Sequence, residues 1–305
     1  MTHPSVEEAS SFRMPEPRRI SNSEVGTWLL CRRKYYYTFD LNIVPKQRSS
    51  ALSRGILGHE VLQVYYDALR EGKPHALAKT EARALLMRAM DSYNLELVTD
   101  LDLILGRYWN HYAEIDLQEY EILEVENNYD LPLVDDFDYT FRFDLYLKHK
   151  LTGKRILMDH KFIWDFWNAD KIALSPQFPK YVGAMRGNDL AVDECILNQI
   201  RYRPIKEPTP DQLFRRSKVI PSNAKIRNAL KEQMVSSREI AAHRFMPVEL
   251  RSDHAVGVRN PLVCNYCEFA QLCASEYDGG DVQYMIQNDY TSNPYGYNAP
   301  TTEGL

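Results

Sequence analysis

The sequence predicts a single α/β domain with a helical elaboration on its N-terminal side. Three observations lead there. Helical periodicity dominates residues 20–117. Strand-type alternation replaces it between about Tyr120 and Phe162. A helix, a further strand, a long helix and a cysteine-bearing end then follow, an order that buries one sheet against helices. The 305 residues suffice for one large domain with a substantial core.

Residues 1–19, rich in Pro, Ser and charge, are expected to be flexible. Ser21 and Glu24 form a capping box that opens a helix running to about Tyr37. Further helices are predicted over Leu52–Arg70, Ala76–Leu97 and Leu101–Ile115. Tyr120–Leu133 alternates as a strand with a possible irregularity. Asp138–Lys148 alternates more cleanly, with Tyr139, Phe141, Phe143, Leu145 and Leu147 on one face. Lys150-Leu151-Thr152-Gly153 suits a type I turn and leads into a strand over Arg155–Phe162. Pro176–Arg186 reads as a helix, Ala191–Arg203 as a strand and Ser222–His243 as a late helix. Within the domain, residues 118–245 make the core and 246–278 a cysteine-bearing clasp. Residues 279–305, rich in Gly, Asn, Tyr and Pro, are expected to form a disordered tail.

Hydrophobic content is 44%, charged content 26% and net charge −5. A strongly basic nucleic-acid coat is excluded, whereas a local basic groove is not. No apolar run reaches the roughly 18 residues of a membrane-spanning helix, so no membrane partner is expected. The polar, acidic start MTHPSVEEAS lacks a signal-peptide pattern, which makes the cytoplasm the expected location.

The chemistry concentrates at Asp159-His160-Lys161. Residues two apart on a strand share a face, so Asp159 and Lys161 point together. His160 points away while its carbonyl can turn toward the same place. The preceding hairpin sets Asp144 directly opposite Asp159, with Cα atoms about 5 Å apart. Two like charges so placed are destabilising unless a divalent cation lies between them. Oxygen ligands of this kind suit Mg²⁺ or Mn²⁺. Lys161 is placed to orient or deprotonate a water, or to offset charge on a phosphorane. A D-x-K on a strand is often only a solvated edge; the matching Asp144 is what raises it above that. His59, at helical spacing with Leu52, Ile56, Leu62 and Tyr66, points inward as a candidate third ligand, and Gly55 and Gly58 allow a close backbone approach. Gln177 and Tyr181 share one helix face.

Two basic stretches are candidates for nucleic-acid contact. One is Arg215, Arg216, Lys218, Lys225, Arg227 and Lys231; the other is Arg32, Arg33 and Lys34, followed by Tyr35, Tyr36 and Tyr37. Such interleaving suits backbone neutralisation and base stacking, although a solvated helix face explains either alone. Cys264, Cys267 and Cys273 give a C-x2-C-x5-C pattern, and Cys31 is the best fourth member. Four thiolates hold either zinc or an iron–sulfur cluster, and the spacing does not decide which. Such a site would clasp the two ends of the domain. Cys195, mid-strand, is read as a packing residue.

Taken in order, these motifs resemble the RecB-like branch of the PD-(D/E)XK nucleases, and are similar to the AddB nuclease domain and the CRISPR-associated exonuclease of spacer acquisition. The resemblance runs from Cys31-Arg32-Arg33-Lys34-Tyr35-Tyr36, through Gly55 to His59, Asp144, Asp159 to Lys161 and Gln177 to Tyr181, to the closing cysteines. Arg32 stands where the family pattern has Pro, and Phe143 precedes the first Asp. The resemblance implies a restriction-endonuclease-like core, with a central mixed sheet flanked by helices and a C-terminal iron–sulfur region. It implies Mg²⁺ or Mn²⁺ held by His59, Asp144, Asp159 and the His160 carbonyl, with Lys161 catalytic beside Asp144 and Asp159. It also implies substrate positioning by Gln177 and Tyr181, and a [4Fe–4S] cluster on Cys31, Cys264, Cys267 and Cys273, with Zn²⁺ the alternative.

The expected function is a DNA exonuclease acting at ends, in recombination, repair or processing. An endonuclease or nickase is the alternative within the enzyme class; a non-catalytic DNA-binding assembly protein lies outside it. No Walker A sequence is present, so a helicase, like a recombinase, would be a separate partner.

Overall fold

The computed structural model describes residues 18–47, 49–134 and 137–293. The N-terminal part holds β1 (Arg18–Ser21), α1 (Asn22–Leu30), α2 (Arg32–Tyr35), a π-helical turn (Tyr36–Asp40) and β2 (Ile43–Pro45). Three longer helices follow: α3 (Ser50–Arg70), α4 (His75–Ala89) and α5 (Leu95–Glu119). The core comprises β3 (Tyr120–Val125), β4 (Asn128–Val134), β5 (Phe137–Arg142), β6 (Leu145–His149), β7 (Arg155–Ile163), α6 (Ala169–Leu174), α7 (Gln177–Gly187), β8 (Glu194–Arg201), α8 (Pro210–Leu213), β9 (Phe214–Val219) and α9 (Asn223–Phe245). The C-terminal part adds α10 (Val248–His254), α11 (Pro261–Cys264), α12 (Ala270–Tyr277), α13 (Val282–Asp289) and β10 (Tyr290–Ser292).

The central sheet is mixed, in the order β3-β6-β7-β8-β9. Its β7–β8 pair is parallel and the rest antiparallel. The Lys150–Gly153 turn, with Gly153 at φ +72°, sets the register Lys148 to Arg155 and Leu145 to Met158. One face of the sheet presents Leu145, Leu147, Ile156, Met158, Ile196 and Ile200 to α3, α4 and α5. The other presents Tyr146, Leu157, Cys195 and Leu197 to α7 and Ile226 of α9. Cys195 is fully buried there.

Several elements differ from the sequence reading. Asp138–Lys148 is not one strand: it breaks at Phe143–Asp144, and β5 joins a separate sheet, β1-β5-β4. The side chains change sides at the break, so Phe143 packs with Tyr146 while Leu145 faces α5. Tyr120–Leu133 likewise divides, at Glu126, whose φ is +48°. The first helix stops at Leu30 because Cys31 is extended. The third ends at Ala89, and Asn94 then caps α5 by accepting from the Glu96 amide.

The buried face of α3 holds Leu62, Tyr66 and Leu69 as expected but differs in its first turns. Leu52 is exposed, Leu57, Val61 and Tyr65 are buried, and His59 lies at the face's edge. A Cβ at Gly58 would meet the Phe162 ring, so a side chain rather than backbone approaches there, and Gly55 faces open space.

Residues 18–19, expected to be flexible, belong to β1, while residues 1–17 lie outside the described residues. Part of the expected disordered tail is ordered: α13 packs Val282, Met285 and Ile286 beside Phe269, and β10 pairs with β2. Residues 294–305 lie outside the described residues. Among the described residues, no helix is long and apolar enough to cross a membrane.

Candidate active site

The hairpin partner of β7 ends early. β6 pairs with β7 only as far as Met158, so Asp159 to Ile163 pair with β8 alone. The other edge of this stretch is open, and the candidate residues gather along it. Asp144 sits at the bend before β6, and its Oδ2 accepts from the His160 amide at 2.5 Å. Within a strand a residue's N–H and C=O point to the same side, so the His160 carbonyl faces this edge too. Lys161 Nζ lies 2.8 Å from Asp159 Oδ2. From α3, His59 Nδ1 lies 3.3 Å from Asp144 Oδ1. Gln177, at the start of α7, donates to Asp159 Oδ1 at 2.7 Å and to the Tyr181 hydroxyl at 3.0 Å. Lys161, Gln177 and Tyr181 line a cleft of about 380 Å³ together with Asn22, Asn128 and Arg142.

The sequence reading missed Glu126. Its carboxylate is 3.6 Å from His59 Nδ1 and 2.8 Å from Arg142 Nε, and its amide donates to the Asp144 carbonyl. His59, Glu126 and Asp144 each place one donor atom within 4.8 Å of the other two. Glu126 holds a left-handed backbone, where a non-glycine residue is strained, and its side chain is nearly buried. Nothing in its sequence spacing marks it among the other acids of Tyr120–Leu133; only the split into β3 and β4 aims it at the site.

The charges shape one another. Burial alone would raise the Asp144 carboxyl, but the charge and hydrogen bond of His59 hold it well below the usual range. Asp159 is pushed up to about 6 by burial, which Lys161 opposes and Asp144 reinforces. His59 overcomes its burial through Asp144 and Glu126 and is raised to about 10. Three carboxylates thus share the protons and charge of His59 and Lys161. An oxygen-rich set with one imidazole fits Mg²⁺ or Mn²⁺, which would take over the charge balance that protonated His59 provides. Glu126→Gln is expected to raise the Mg²⁺ concentration for half-maximal cleavage about 10-fold or more; an unchanged Mg²⁺ titration would remove Glu126 from the site.

His160 serves the opposite face. Its ring stacks on Tyr66 with centroids 5.6 Å apart, its Nδ1 meets Asn198 at 2.7 Å, and burial drives its pKa down to about 3. A neutral ring there fixes the strand that carries Asp159 and Lys161.

The four cysteines of the expected clasp line one cavity of about 410 Å³ at the meeting of α1, α2, α11 and α12. None of them is in a disulfide. Burial raises the Cys267 and Cys273 thiols, with Lys34 and Arg33 respectively opposing it.

The basic stretches are partly taken up by the fold. Arg216 is bound to Asp116, Lys218 to Glu194, Arg32 to Glu239 and Arg33 to Glu276, and Tyr35 and Tyr37 are buried. Arg215, pointing the other way along β9, is exposed, as are Lys218 and, on α9, Arg227 and Lys231.

A sequence model of the PD-(D/E)XK nuclease superfamily matches residues 19–274, and the chain belongs to that superfamily. Nucleic acid is therefore the substrate class and metal-dependent cleavage the chemistry, with Mg²⁺ or Mn²⁺ the usual ion. No curated protein matches the chain. Among solved structures, that of SSO0001 is similar at 14% identity, with 85% of this chain and 87% of that chain covered and a TM-score of 0.38.

Proposed function

We propose that this chain is a DNA exonuclease of the RecB-like branch, hydrolysing phosphodiesters at DNA ends. The observation that carries the reading is the convergence of Asp144, Asp159 and Lys161 on the open edge of β7, with His59 and Glu126 alongside. The preference for ends over internal bonds is supported by the ordered motifs shared with end-processing nucleases.

Asp144, Asp159, His59 and the His160 carbonyl are assigned as metal-holding groups, with Glu126 added. A divalent ion bound there would polarise the phosphoryl oxygen and acidify water. The chain's own groups supply the rest. The Lys161 ammonium faces the charge that develops as water attacks phosphorus and the leaving oxygen departs. Gln177 fixes the orientation of Asp159 and, with Tyr181, presents hydrogen-bonding groups to the cleft. The test is end-labelled linear DNA beside closed circular single-stranded DNA, with Mg²⁺ or Mn²⁺ and an Asp144→Ala control. Loss of the linear form alone, abolished in the control, is expected. Control-sensitive cutting of the circle would make the protein an endonuclease or nickase. No cutting of either would favour a DNA-binding assembly role, or dependence on a separate helicase or recombinase.

The cysteine cavity is assigned to a [4Fe–4S] cluster in preference to Zn²⁺. Four thiols around one cavity suit either group; the resemblance to the RecB-like branch supports the cluster. Cys267→Ala is expected to lower the melting temperature by about 5 °C or more, because α12 and the N-terminal helices lose a shared anchor. Unchanged stability, or absence of a visible absorbance band in anaerobically purified protein, would contradict this.

A further inference from the structure

We propose that Trp164, Tyr202 and Arg54 form a stacking platform for unpaired bases of the substrate strand next to the catalytic cleft. The platform presupposes a DNA substrate, the reading proposed above.

Trp164 follows Lys161 by three residues, just past the end of β7, about 10 Å along the chain by strand rise. The residue is 52% exposed, whereas Trp28 and Trp109 are buried and Trp167 is half-buried. Its backbone is nonetheless held in place. Arg201 Nε donates to the Trp164 carbonyl, and the Tyr202 amide donates to the Ile163 carbonyl. The Tyr202 ring meets the indole edge-on with centroids 5.7 Å apart. An exposed, pre-positioned aromatic face loses little freedom when a base stacks on it.

Arginines gather around it. The Arg54 guanidinium lies 4.6 Å from the Tyr202 ring centroid, with one terminal nitrogen 3.3 Å from Asp100 and its Nε without a hydrogen-bond partner among the described residues. Arg54 borders a polar cavity of about 760 Å³, lined also by Lys46, Ser50, Ser53 and Glu96. Arg203 is half-exposed beside Asp165, which also binds Arg201. Aromatic faces interleaved with arginine are what sequence-tolerant single-strand binding uses. Arg54 precedes His59 by five residues on α3, and Trp164 follows just past the end of β7, which carries Lys161. Both elements that build the catalytic edge therefore run directly into the platform, which places the strand's bases there while its phosphate is at Lys161.

The test uses the full chain with Lys161→Ala as an uncleaving parent and labelled oligothymidylate as probe. Trp164→Ala in that parent is expected to weaken single-strand binding about tenfold or more, with an unchanged melting temperature. Trp164→Phe should restore most of the affinity, and tryptophan quenching on binding should vanish with the indole. Equal affinity in Trp164→Ala, or a parent that binds duplex alone, would overturn the platform while leaving the nuclease reading intact. A parent that binds no DNA, from a wild type that cuts none, would overturn both.

Discussion

Lys161→Ala is expected to lower single-turnover cleavage by about 10³-fold or more while leaving the fold and the metal response in place. The lysine ammonium stays charged despite burial because Asp159 and Asp144 surround it, and its pKa is raised accordingly. It is therefore a fixed positive charge at the place where negative charge develops on the phosphoryl group. Truncation removes that charge from the transition state. The folded state suffers less. Without metal, Asp159, already pushed up to about 6, would rise further and take up a proton, which avoids a naked buried charge; a divalent ion at the site would displace that proton. Asp144, His59 and Glu126 keep their mutual contacts. Cleavage of labelled DNA at saturating Mg²⁺, beside thermal melts with and without Mg²⁺, separates the two effects. Retained cleavage, or a melting temperature that collapses without the lysine, would contradict a role at the reacting phosphate.

How far the site was legible follows from where its information lies in the chain. The Lys150–Gly153 turn fixes the hairpin register locally, which brings Asp144 beside the Asp159–Lys161 stretch, but the pairing ends at Leu145 and Met158, one step short of the expected Asp144–Asp159 pair, and Asp144 instead meets the His160 amide from a bend. Gln177 and Tyr181 meet because they share a helix turn. Glu126 was not legible, because its approach to His59 depends on a left-handed residue at which the chain leaves one sheet for another. The break at Asp144 was hidden by period-2 alternation that continues across it, since the strands on either side are buried against different cores. The expected tail rested on the Gly, Asn, Tyr and Pro content of 279–305; Val282, Met285 and Ile286, which α13 packs beside Phe269, stand at helical spacing within it.

Strand β9 holds the clearest lesson about charge in sequence. Arg215 and Arg216 look equivalent as members of a basic run, yet strand alternation sends them to opposite faces. Arg216 enters the core beneath the catalytic strand. Its two terminal nitrogens bind Asp116 at 2.5 and 2.9 Å, one of them donates to Tyr108 at 3.1 Å, and the guanidinium lies 3.7 Å from the Tyr112 ring centroid.

Arg216→Ala is expected to cost about 3–5 kcal/mol, because it leaves Asp116 buried without its cation. For a chain of this size that is a fall of about 10 °C in melting temperature. Replacing both partners with apolar residues of similar size, Asp116→Leu with Arg216→Met, should recover much of the loss. The loss would reach the active edge as well. Arg216 Nε donates to Asn198 Oδ1, and Asn198 holds His160, whose amide anchors Asp144. At a temperature where the single variant is still folded, its Mg²⁺ requirement should therefore rise, and the double variant should not restore it. Thermal melts and Mg²⁺ titrations of cleavage on the same samples would show both. A single variant as stable as wild type would mean that Asp116 finds water or a proton in place of Arg216, and the path from β9 to the metal-holding edge would then have no energetic basis.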